Sequence, residues 1–211
     1  ATLCLPIMSD PDEFVVEKKK FNTKKKFIYP ANGKIKDSIK VVLDSFSNLT
    51  DTELEKLELH ICGIKLEELE QIMTSRLKKE IGKSVIVHKW MDYEDLITLY
   101  NEMHFLILSR GINQMTLANF PSKVPEVMCY GVVPVVSQVG DYTKYYLKDK
   151  HDSFIFENNR VEECTLALRK AVNCSESKLE LMSSNSRLTS INKFSYKVWS
   201  KKITDFISTI K

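Results

Sequence analysis

The sequence contains few glycines, and they form none of the motifs that cradle phosphates or expose a catalytic serine. Only 6 of the 211 residues are glycine. The GxGxxG of dinucleotide-binding folds, the GxxxxGK[ST] of the P-loop and the GxSxG nucleophile elbow are all absent. These absences argue against a dinucleotide-binding Rossmann fingerprint, exclude a P-loop and give no support for a serine hydrolase.

Cysteine and histidine show no pattern of a metal or disulfide site. The five cysteines contain no CxxC pair, are odd in number and lie mostly within apolar segments, so we expect buried free thiols in a reducing compartment. The four histidines have no partner at metal-ligand spacing, so we expect no metal site. His60 and His104 are interpreted as structural histidines with satisfied hydrogen bonds.

Long apolar runs and a strong charge imbalance are also missing. No apolar run approaches the roughly 20 residues of a membrane-spanning helix, and the opening ATLCLPIMSDP lacks the regions of a signal peptide. Lysine and arginine (31) nearly balance aspartate and glutamate (28), so we expect no nucleic-acid partner. The ordinary hydrophobic and charged content predicts a globular protein, and we expect a cytoplasmic one.

The amino-terminal stretch differs in composition from the rest of the chain. It carries Pro6 and Pro11, an acidic patch, and then lysine triplets at 18–20 and 24–26. Such a charge run can bind phosphates, but we interpret the stretch as a solvated linker or crossing segment. A linker implies that another domain precedes residue 1.

From residue 26 onward, short apolar runs alternate with stripes at helical spacing. The apolar runs predict strands at 26–31, 57–63, 84–90, 104–109, 132–138 and 152–157. The stripes predict helices at 38–49, 65–82, 93–103, 121–131, 141–148, 160–172, 176–191 and 195–210. Asn32-Gly33 is a turn signal after the first strand, and Pro134 marks the beginning of a strand or a bulge. This alternation predicts an α/β, doubly wound parallel sheet of about six strands with helices on both faces.

Ligands of such sheets bind outside the carboxyl ends of the strands, so the candidate chemistry lies in the loops after residues 31, 63, 90, 110 and 138. The most informative stretch is 109–138, where a long polar loop leads to a helix. The free N–H groups of that helix, with Ser122 and Lys123, make a natural anion site. Glu126, one turn in, either accepts hydrogen bonds from the two vicinal hydroxyls of a ribose or is an ordinary first-turn glutamate. Spacing alone leaves both interpretations open.

Several stretches resemble the nucleotide-binding half of GT-B glycosyltransferases, in the large retaining group that uses nucleotide sugars (glycosyl transferases group 1). VPEVMCYGVVPVVSQVGDYTKYYLKDKHDSFIFE is similar to the family's EAMAxG helix end, its xPVVxS strand and its glycine turn. The matching residues there are Glu126, Gly131, Pro134, Val135, Val136, Ser137 and Gly140. FIYPANGKIKDSIKVVLDSF, LELHICG and VIVHKWMDYEDLITLYNEMHFLILSR resemble the three preceding strand regions, so the resemblance covers about residues 26–172.

The resemblance implies a binding site for a nucleotide-diphosphate sugar. Glu126 would grip the ribose as the second acid of the family's E-x7-E pair, and Lys36 would neutralise the diphosphate. The base would lie against the loop after the third strand, at His88, Trp90 and Met91. The family needs neither a metal nor another cofactor, since positive charges and helix N–H groups stabilise the leaving diphosphate.

The sequence departs from the family at the first acid of that pair. Eight positions before Glu126 the sequence has Ala118, with Asn119 beside it. In the family the first acid lies near the donor sugar. The resemblance therefore leaves the identity of the sugar, and the activity itself, open.

The basic loop after the first strand also departs from the family. The family's arginine falls on an uncharged residue, and its charge could come from Lys34, Arg110 or Lys123. For each of these three, a solvated surface cation is the alternative interpretation. Asp37 stands where the family has glycine, and we expect it to be the N-cap of the helix 38–49.

The resemblance implies one half of a two-domain enzyme. We expect residues 1–25 to link to an amino-terminal domain that holds the acceptor site and catalytic base, 26–174 to bind the nucleotide sugar, and 175–211 to form closing helices. In these helices the apolar side chains would bury against the missing domain or pack on this one, namely those of Trp199, Phe206 and Ile210. This half alone is expected to bind nucleotide weakly and to be inactive. Membrane contact, at the inner face, would come through the missing half.

We therefore expect the donor-binding half of a hexosyl-transferring glycosyltransferase, acting in polysaccharide or glycan biosynthesis. The main alternative is a non-catalytic GT-B-like domain with an eroded donor site and a structural or partner-binding role, which Ala118 and the thin basic loop favour. Another nucleotide-sugar enzyme of this fold, such as an epimerase, also stays open. A nucleic-acid binder is the weakest alternative, because no basic stripe with interleaved aromatics supports the lysine triplets.

Overall fold

Six strands form one sheet in a computed structural model of the chain. The strands are β1 (Lys25–Pro30), β2 (Leu57–Cys62), β3 (Val85–Val87), β4 (Phe105–Leu108), β5 (Val133–Ser137) and β6 (Phe154–Phe156). The structure describes residues 2–12, 16–17, 19–31 and 36–210. The predicted Asn32-Gly33 turn, Lys34 of the basic loop and Lys18 of the first lysine triplet lie outside these residues.

All neighbouring strands of this sheet are parallel, in the order β3-β2-β1-β4-β5-β6. Phe27 on β1 lies opposite Leu59 on β2 and Phe105 on β4, and all three side chains are buried. The predicted doubly wound parallel sheet is therefore confirmed. Because the chain moves from β1 to one side and later returns to the other, the strand order changes direction at β1, and such a change opens a crevice at the carboxyl ends of the strands.

Helices cover both faces of the sheet. They are α1 (Ile39–Ser47), α2 (Asp51–Leu54), α3 (Leu66–Ile72), α4 (Ser75–Lys78), α5 (Tyr93–Glu102), α6 (Gln114–Ala118), α7 (Lys123–Cys129), α8 (Val161–Val172), α9 (Glu176–Thr189) and α10 (Tyr196–Ser208). Helix α1 packs against α8, and α7 packs against α9. In the described part of the chain, no helix combines the length and apolarity that a membrane span requires.

Local hydrogen bonding changes some of the predicted elements. The predicted helix 65–82 is two helices, because Thr74 caps α4 by accepting a hydrogen bond from the Leu77 N–H at 3.2 Å. The polar loop after β4 contains α6, which Asn113 and Thr116 begin with a reciprocal capping pair. The predicted helix 141–148 is a π-helical turn over Tyr142–Tyr146.

Asp37 is not the N-cap of α1, so that prediction is wrong. Ser38 occupies the N-cap position, and the Asp37 carboxylate instead accepts hydrogen bonds from Arg110 at 2.8 Å. Both side chains are 4% exposed. Arg110 also donates to the side-chain oxygen of Asn119 at 3.0 Å. A guanidinium buried directly after β4 requires a counter-charge, and Asp37 supplies it.

The end of α7 confirms the predicted glycine stop. The Gly131 N–H donates to the Met128 carbonyl at 2.9 Å, and the Val132 N–H donates to the Val127 carbonyl at 3.2 Å. These two bonds form a Schellman motif, which requires the left-handed backbone that Gly131 adopts at φ +68°. The Ser183 hydroxyl of α9 donates to the Gly131 carbonyl at 2.6 Å, so the turn is also where α9 docks.

The amino-terminal stretch runs along the tail and the end of α5. The Ser9 N–H donates to the Phe194 carbonyl at 2.9 Å, and the Tyr196 N–H donates to the Ser9 carbonyl at 3.2 Å. The Lys19 ammonium donates to the carbonyls of Tyr100 and Met103 at the end of α5. This stretch therefore fixes the carboxyl-terminal end of α5. Its role as a linker to another domain stays a prediction.

Helix α10 has no buried residue within this chain. Trp199 and Phe206 are half-buried, and Ile210 is 63% exposed. The Trp199 indole N–H donates to the Lys193 carbonyl at 2.8 Å. This domain therefore covers the three apolar side chains only in part, and their burial against another domain stays a prediction.

The cysteines match the expectation of buried free thiols in part. All five are free. Cys62, Cys129 and Cys164 are buried, Cys174 is half-buried, and Cys4 is exposed, contrary to the expectation. Cys4 lies in the amino-terminal stretch and is itself part of no strand or helix.

We predict that Gly131→Ala destabilises the fold through both backbone strain and a steric clash. A Cβ at this position would lie 2.7 Å from the Ser183 hydroxyl oxygen, and the backbone has positive φ. The expected loss is about 2–4 kcal/mol in the free energy of unfolding, measured by urea denaturation. Gly82→Ala is the matched control, because Gly82 has φ +81° and open space around it. Equal losses for the two variants would contradict the docking of α9 at this turn.

We predict that Asp37→Asn lowers the free energy of unfolding by about 3 kcal/mol, because it leaves the Arg110 guanidinium buried without a counter-charge. The control is Asp44→Asn, which breaks a solvent-facing pair between Asp44 and Lys40 and is expected to cost less than about 1 kcal/mol. Chemical denaturation measures both variants. A cost for Asp37→Asn no larger than the control would show that the pair is not a structural requirement.

Candidate functional site

A cleft of about 340 Å³ opens at the change in strand order, between the carboxyl ends of β1 and β4. Pro30 at the end of β1 and Leu108 at the end of β4 line its floor. Four of the predicted site residues line the same cleft, namely Lys36, Arg110, Ser122 and Lys123. The structure therefore brings together residues as far apart in the sequence as Lys36 and Lys123.

The positive charges of this cleft are unequally available. The Arg110 charge is offset by Asp37, and Lys123 forms an ion pair with Glu126 at 3.2 Å. Lys36 forms no ion pair with a described residue. Among the described lining residues, Lys36 is therefore the cation whose charge is least compensated. Arg110 lines the cleft but adds little net positive charge to it, because it is paired with Asp37.

Glu126 lies beside the cleft, in the first turn of α7. Pro125 precedes it, and a proline is tolerated there because the first turn lacks intrahelical acceptors for its N–H groups. The Glu126 side chain is 17% exposed, and its Oε2 accepts the hydrogen bond from Lys123. Its Oε1 is buried, the Tyr100 hydroxyl lies near the carboxylate, and Oε1 has no hydrogen bond of ordinary geometry to a described residue. One carboxylate oxygen therefore has an open acceptor position.

Tyr100 on α5 also carries a buried polar atom, and it lies near Glu126. Its side chain is fully buried, and its hydroxyl has no hydrogen bond of ordinary geometry within the described residues. Burial raises the pKa of Tyr100 well above 10, and the nearby Glu126 carboxylate and the Cys62 thiol raise this pKa further. The Tyr100 ring also contacts that of Tyr130, with centroids 5.7 Å apart. The Tyr100 side chain of α5 thus lies close to the Glu126 carboxylate of α7.

The predicted base-binding loop after β3 divides into two environments. Met91 turns toward β2, where the Cys62 thiol contacts its sulfur at 3.9 Å. His88 and Trp90 instead line a separate, largely apolar groove of about 780 Å³ that extends to Gly63 and α3. Trp90 is 92% exposed. The structure therefore places Met91 beside Cys62, which lies near Tyr100. It places His88 and Trp90 in the neighbouring groove.

His60 and His104 have the structural role that was predicted for them. The ring nitrogens of His60 and His88 lie 2.9 Å apart, and burial lowers the pKa of His60 to about 4. His104 accepts a hydrogen bond from the Lys26 N–H at 3.0 Å, and its other ring nitrogen lies 2.8 Å from the Lys20 carbonyl. Within the described part of the chain, no group of three or more His, Cys, Asp or Glu residues could hold a metal ion.

Ala118, in the position of the family's first acid, is exposed at the end of α6. The adjacent Asn119 lines the cleft and accepts the hydrogen bond from Arg110. Two residues that shape the site, Tyr100 and Asp37, were not predicted. A tyrosine in an amphipathic helix and an aspartate before a helix both have ordinary structural interpretations, so sequence alone carried no signal for either.

Comparisons with solved structures find the same architecture at low sequence identity. A glycosyltransferase from Rickettsia africae is 15% identical with a TM-score of 0.66, and the match covers 88% of this chain and 47% of that one. A sucrose-phosphate synthase from Thermosynechococcus elongatus is 11% identical with a TM-score of 0.72, over 98% of this chain and 52% of that one. HepE from Anabaena, in complex with UDP-glucose, is 11% identical with a TM-score of 0.72, over 96% and 56%.

These likenesses show the fold, and the chain spans about half the length of each of these structures. The predicted architecture of one half of a GT-B glycosyltransferase is thereby confirmed. A comparison with the curated proteins gives no match. The model of the family Glycosyl transferases group 1 matches residues 10–189. Because this match includes most of the sequence, the chain belongs to the family Glycosyl transferases group 1.

Proposed function

We propose that this chain is the donor-binding half of a glycosyltransferase and that it binds a nucleotide-diphosphate sugar at the cleft between β1 and β4. Membership of the family supports sugar transfer as the activity of the whole protein. The relative crystallised with UDP-glucose supports a nucleotide sugar as the donor. The acceptor and the catalytic base would belong to a second domain, which the length of the relatives supports.

The observation that carries the proposal is the buried Oε1 of Glu126, which completes no hydrogen bond of ordinary geometry with a described residue. Leaving a buried acceptor unsatisfied costs about 1–3 kcal/mol, so such an atom favours a ligand that brings a donor to it. A carboxylate only accepts hydrogen bonds, and its two oxygens suit the two vicinal hydroxyls of a ribose. Of the two interpretations of Glu126, the open acceptor supports ribose binding.

The charges of the cleft fit a diphosphate next to that ribose. Lys36 lines the cleft and has no described ion-pair partner. Lys123 contacts Glu126 and also lines the cleft, so it can bridge the carboxylate and a phosphate. In this arrangement Met91, on the loop after β3, lies nearest to the base, and no metal takes part.

The wider role is proposed on the same basis. The transferred group would be a hexose, transferred with retention to an acceptor in polysaccharide or glycan biosynthesis in the cytoplasm. The apolar side of α10 would close against the second domain, because this domain covers it only in part. A membrane contact would belong to that second domain.

A second candidate is a non-catalytic domain that keeps the fold and uses it for structure or for partner binding. The observation that favours it is Ala118, since an exposed alanine in place of the first acid offers no group to a donor sugar. This candidate predicts that the chain ignores every nucleotide.

We predict that UDP or GDP binds to the chain and that Glu126→Gln weakens the binding about tenfold or more. The substitution removes the negative charge and one of two acceptors, and a hydrogen bond to a charged group is worth about 1.5–3 kcal/mol. Isothermal titration calorimetry with UDP, GDP and ADP measures the affinities, and thermal shift provides an independent readout.

Glu163→Gln is the matched control, because Glu163 is also a first-turn glutamate, on α8, and its ion pair with Arg160 is solvent-facing. It is expected to bind nucleotide as the natural sequence does. If Glu126→Gln and Glu163→Gln bind nucleotide equally well, Glu126 is an ordinary helix residue. If the natural sequence binds none of the nucleotides, the non-catalytic candidate is favoured.

A further inference from the structure

We propose that Tyr100 is a positioning residue of the donor site, whose hydroxyl orients the Glu126 carboxylate toward the ribose. This inference rests on the proposed function and adds to it a residue that does not touch the nucleotide. The geometry behind it is that the Tyr100 hydroxyl lies close enough to the Glu126 carboxylate to interact with it, while neither this hydroxyl nor Oε1 completes a hydrogen bond of ordinary geometry with a described residue.

The position of Tyr100 is fixed from several sides. Its side chain is fully buried, and its ring contacts that of Tyr130, the residue that ends α7. Its carbonyl accepts a hydrogen bond from Lys19 at 3.0 Å, so the amino-terminal stretch holds the helix turn that carries it. At the other end of α5, Asp92 caps the helix by accepting from the Asp95 N–H at 2.9 Å. A hydroxyl on so constrained a helix has little freedom to find another partner.

The hydrogen-bonding capacity of Glu126 leaves a position for this hydroxyl. A carboxylate can accept about four hydrogen bonds, and Lys123 uses one position on Oε2. Two ribose hydroxyls would use two more, so one donor from the protein can still bond to the buried Oε1. Because burial raises the pKa of Tyr100, its hydroxyl stays protonated at neutral pH and can donate. The carboxylate would then be held between Tyr100 and Lys123 while it accepts from the ligand.

Packing alone does not account for a tyrosine at this position. A phenylalanine has the same ring and would fill the same space without burying a hydroxyl that lacks an ordinary hydrogen bond. In the unbound protein the contact with Glu126 falls short of ordinary hydrogen-bond geometry, so it offsets little of the cost of burying that hydroxyl. We therefore expect the Tyr100 hydroxyl to contribute favourably in the nucleotide-bound protein, where the ribose hydroxyls hold the Glu126 carboxylate in place.

The test compares nucleotide binding by the natural sequence, Tyr100→Phe, Glu126→Gln and the double variant. Calorimetry with UDP and with 2′-deoxyuridine diphosphate measures both affinity and the preference for an intact ribose. We expect Tyr100→Phe to weaken UDP binding by roughly 5- to 20-fold, as the loss of one hydrogen bond to a charged group does. The preference for UDP over the deoxy analogue should shrink with it. In the Glu126→Gln background, Tyr100→Phe should have no further effect, because the two residues act as a unit.

Melting temperature separates positioning from packing. Tyr100→Phe should leave the melting temperature of the unliganded protein unchanged or raise it. The control is Tyr142→Phe, which also deletes a buried hydroxyl, but one that donates to the Ser137 carbonyl at 3.3 Å. Tyr142→Phe should lower the melting temperature and keep the ribose preference.

Each contrary result has a distinct meaning. If Glu126→Gln weakens UDP binding and Tyr100→Phe does not, the inference about Tyr100 is overturned and the proposed function stands. If Tyr100→Phe lowers the melting temperature as Tyr142→Phe does and keeps the ribose preference, Tyr100 is a packing residue only. If the natural sequence itself does not distinguish UDP from its deoxy analogue, ribose recognition at Glu126 fails, and the inference fails with it.

Discussion

The single direction of the six strands determines where this molecule can recognise a ligand. Since all the strands are parallel, their carboxyl ends and the loops that follow them meet at one edge of the sheet. The change in strand order at β1 separates the loops after β1 and β4, and the cleft opens between them. Lys36, Arg110 and Lys123 meet there because of this topology, although Lys36 comes from the connection after β1 and the other two from the connection after β4.

Two ion pairs, Asp37–Arg110 and Lys123–Glu126, compensate charges at that edge of the sheet. The Asp37–Arg110 pair joins the segment before α1 to the segment after β4, and a hydrogen bond from the Ser38 N–H to the Ser109 carbonyl at 2.8 Å joins the same two segments. Neutralising Arg110 in this way leaves the positive potential of the cleft to Lys36 and, in part, to Lys123. Glu126 differs from Arg110, because its Oε2 is paired with Lys123 whereas its Oε1 has no hydrogen bond of ordinary geometry among the described residues.

Much of the fold could be predicted from the sequence, because apolar periodicity reports directly on burial. The apolar runs at β4 and β5 and the glycine after α7 determine the architecture, and the structure agrees with them. The break between α3 and α4 could not be predicted, because a threonine oxygen ends an otherwise regular stripe. Asp37 and Tyr100 depend on partners far away in sequence, and no local pattern contains that information. Four of the predicted site residues line one cleft, whereas His88 and Trp90 line a different groove.

The most direct test of the central claim is to map the binding site of UDP on the whole chain by backbone amide chemical shifts in solution NMR. The account predicts that the perturbed amides cluster at the carboxyl edge of the sheet, around Lys36, Met91 and residues 122–126. A cleft at the opposite edge provides an internal reference, since it is lined by three lysines, Lys24, Lys25 and Lys56, and could attract phosphate by charge alone. Perturbations confined to that opposite cleft, or absent at Glu126 under saturation, would contradict a donor site built on this carboxylate.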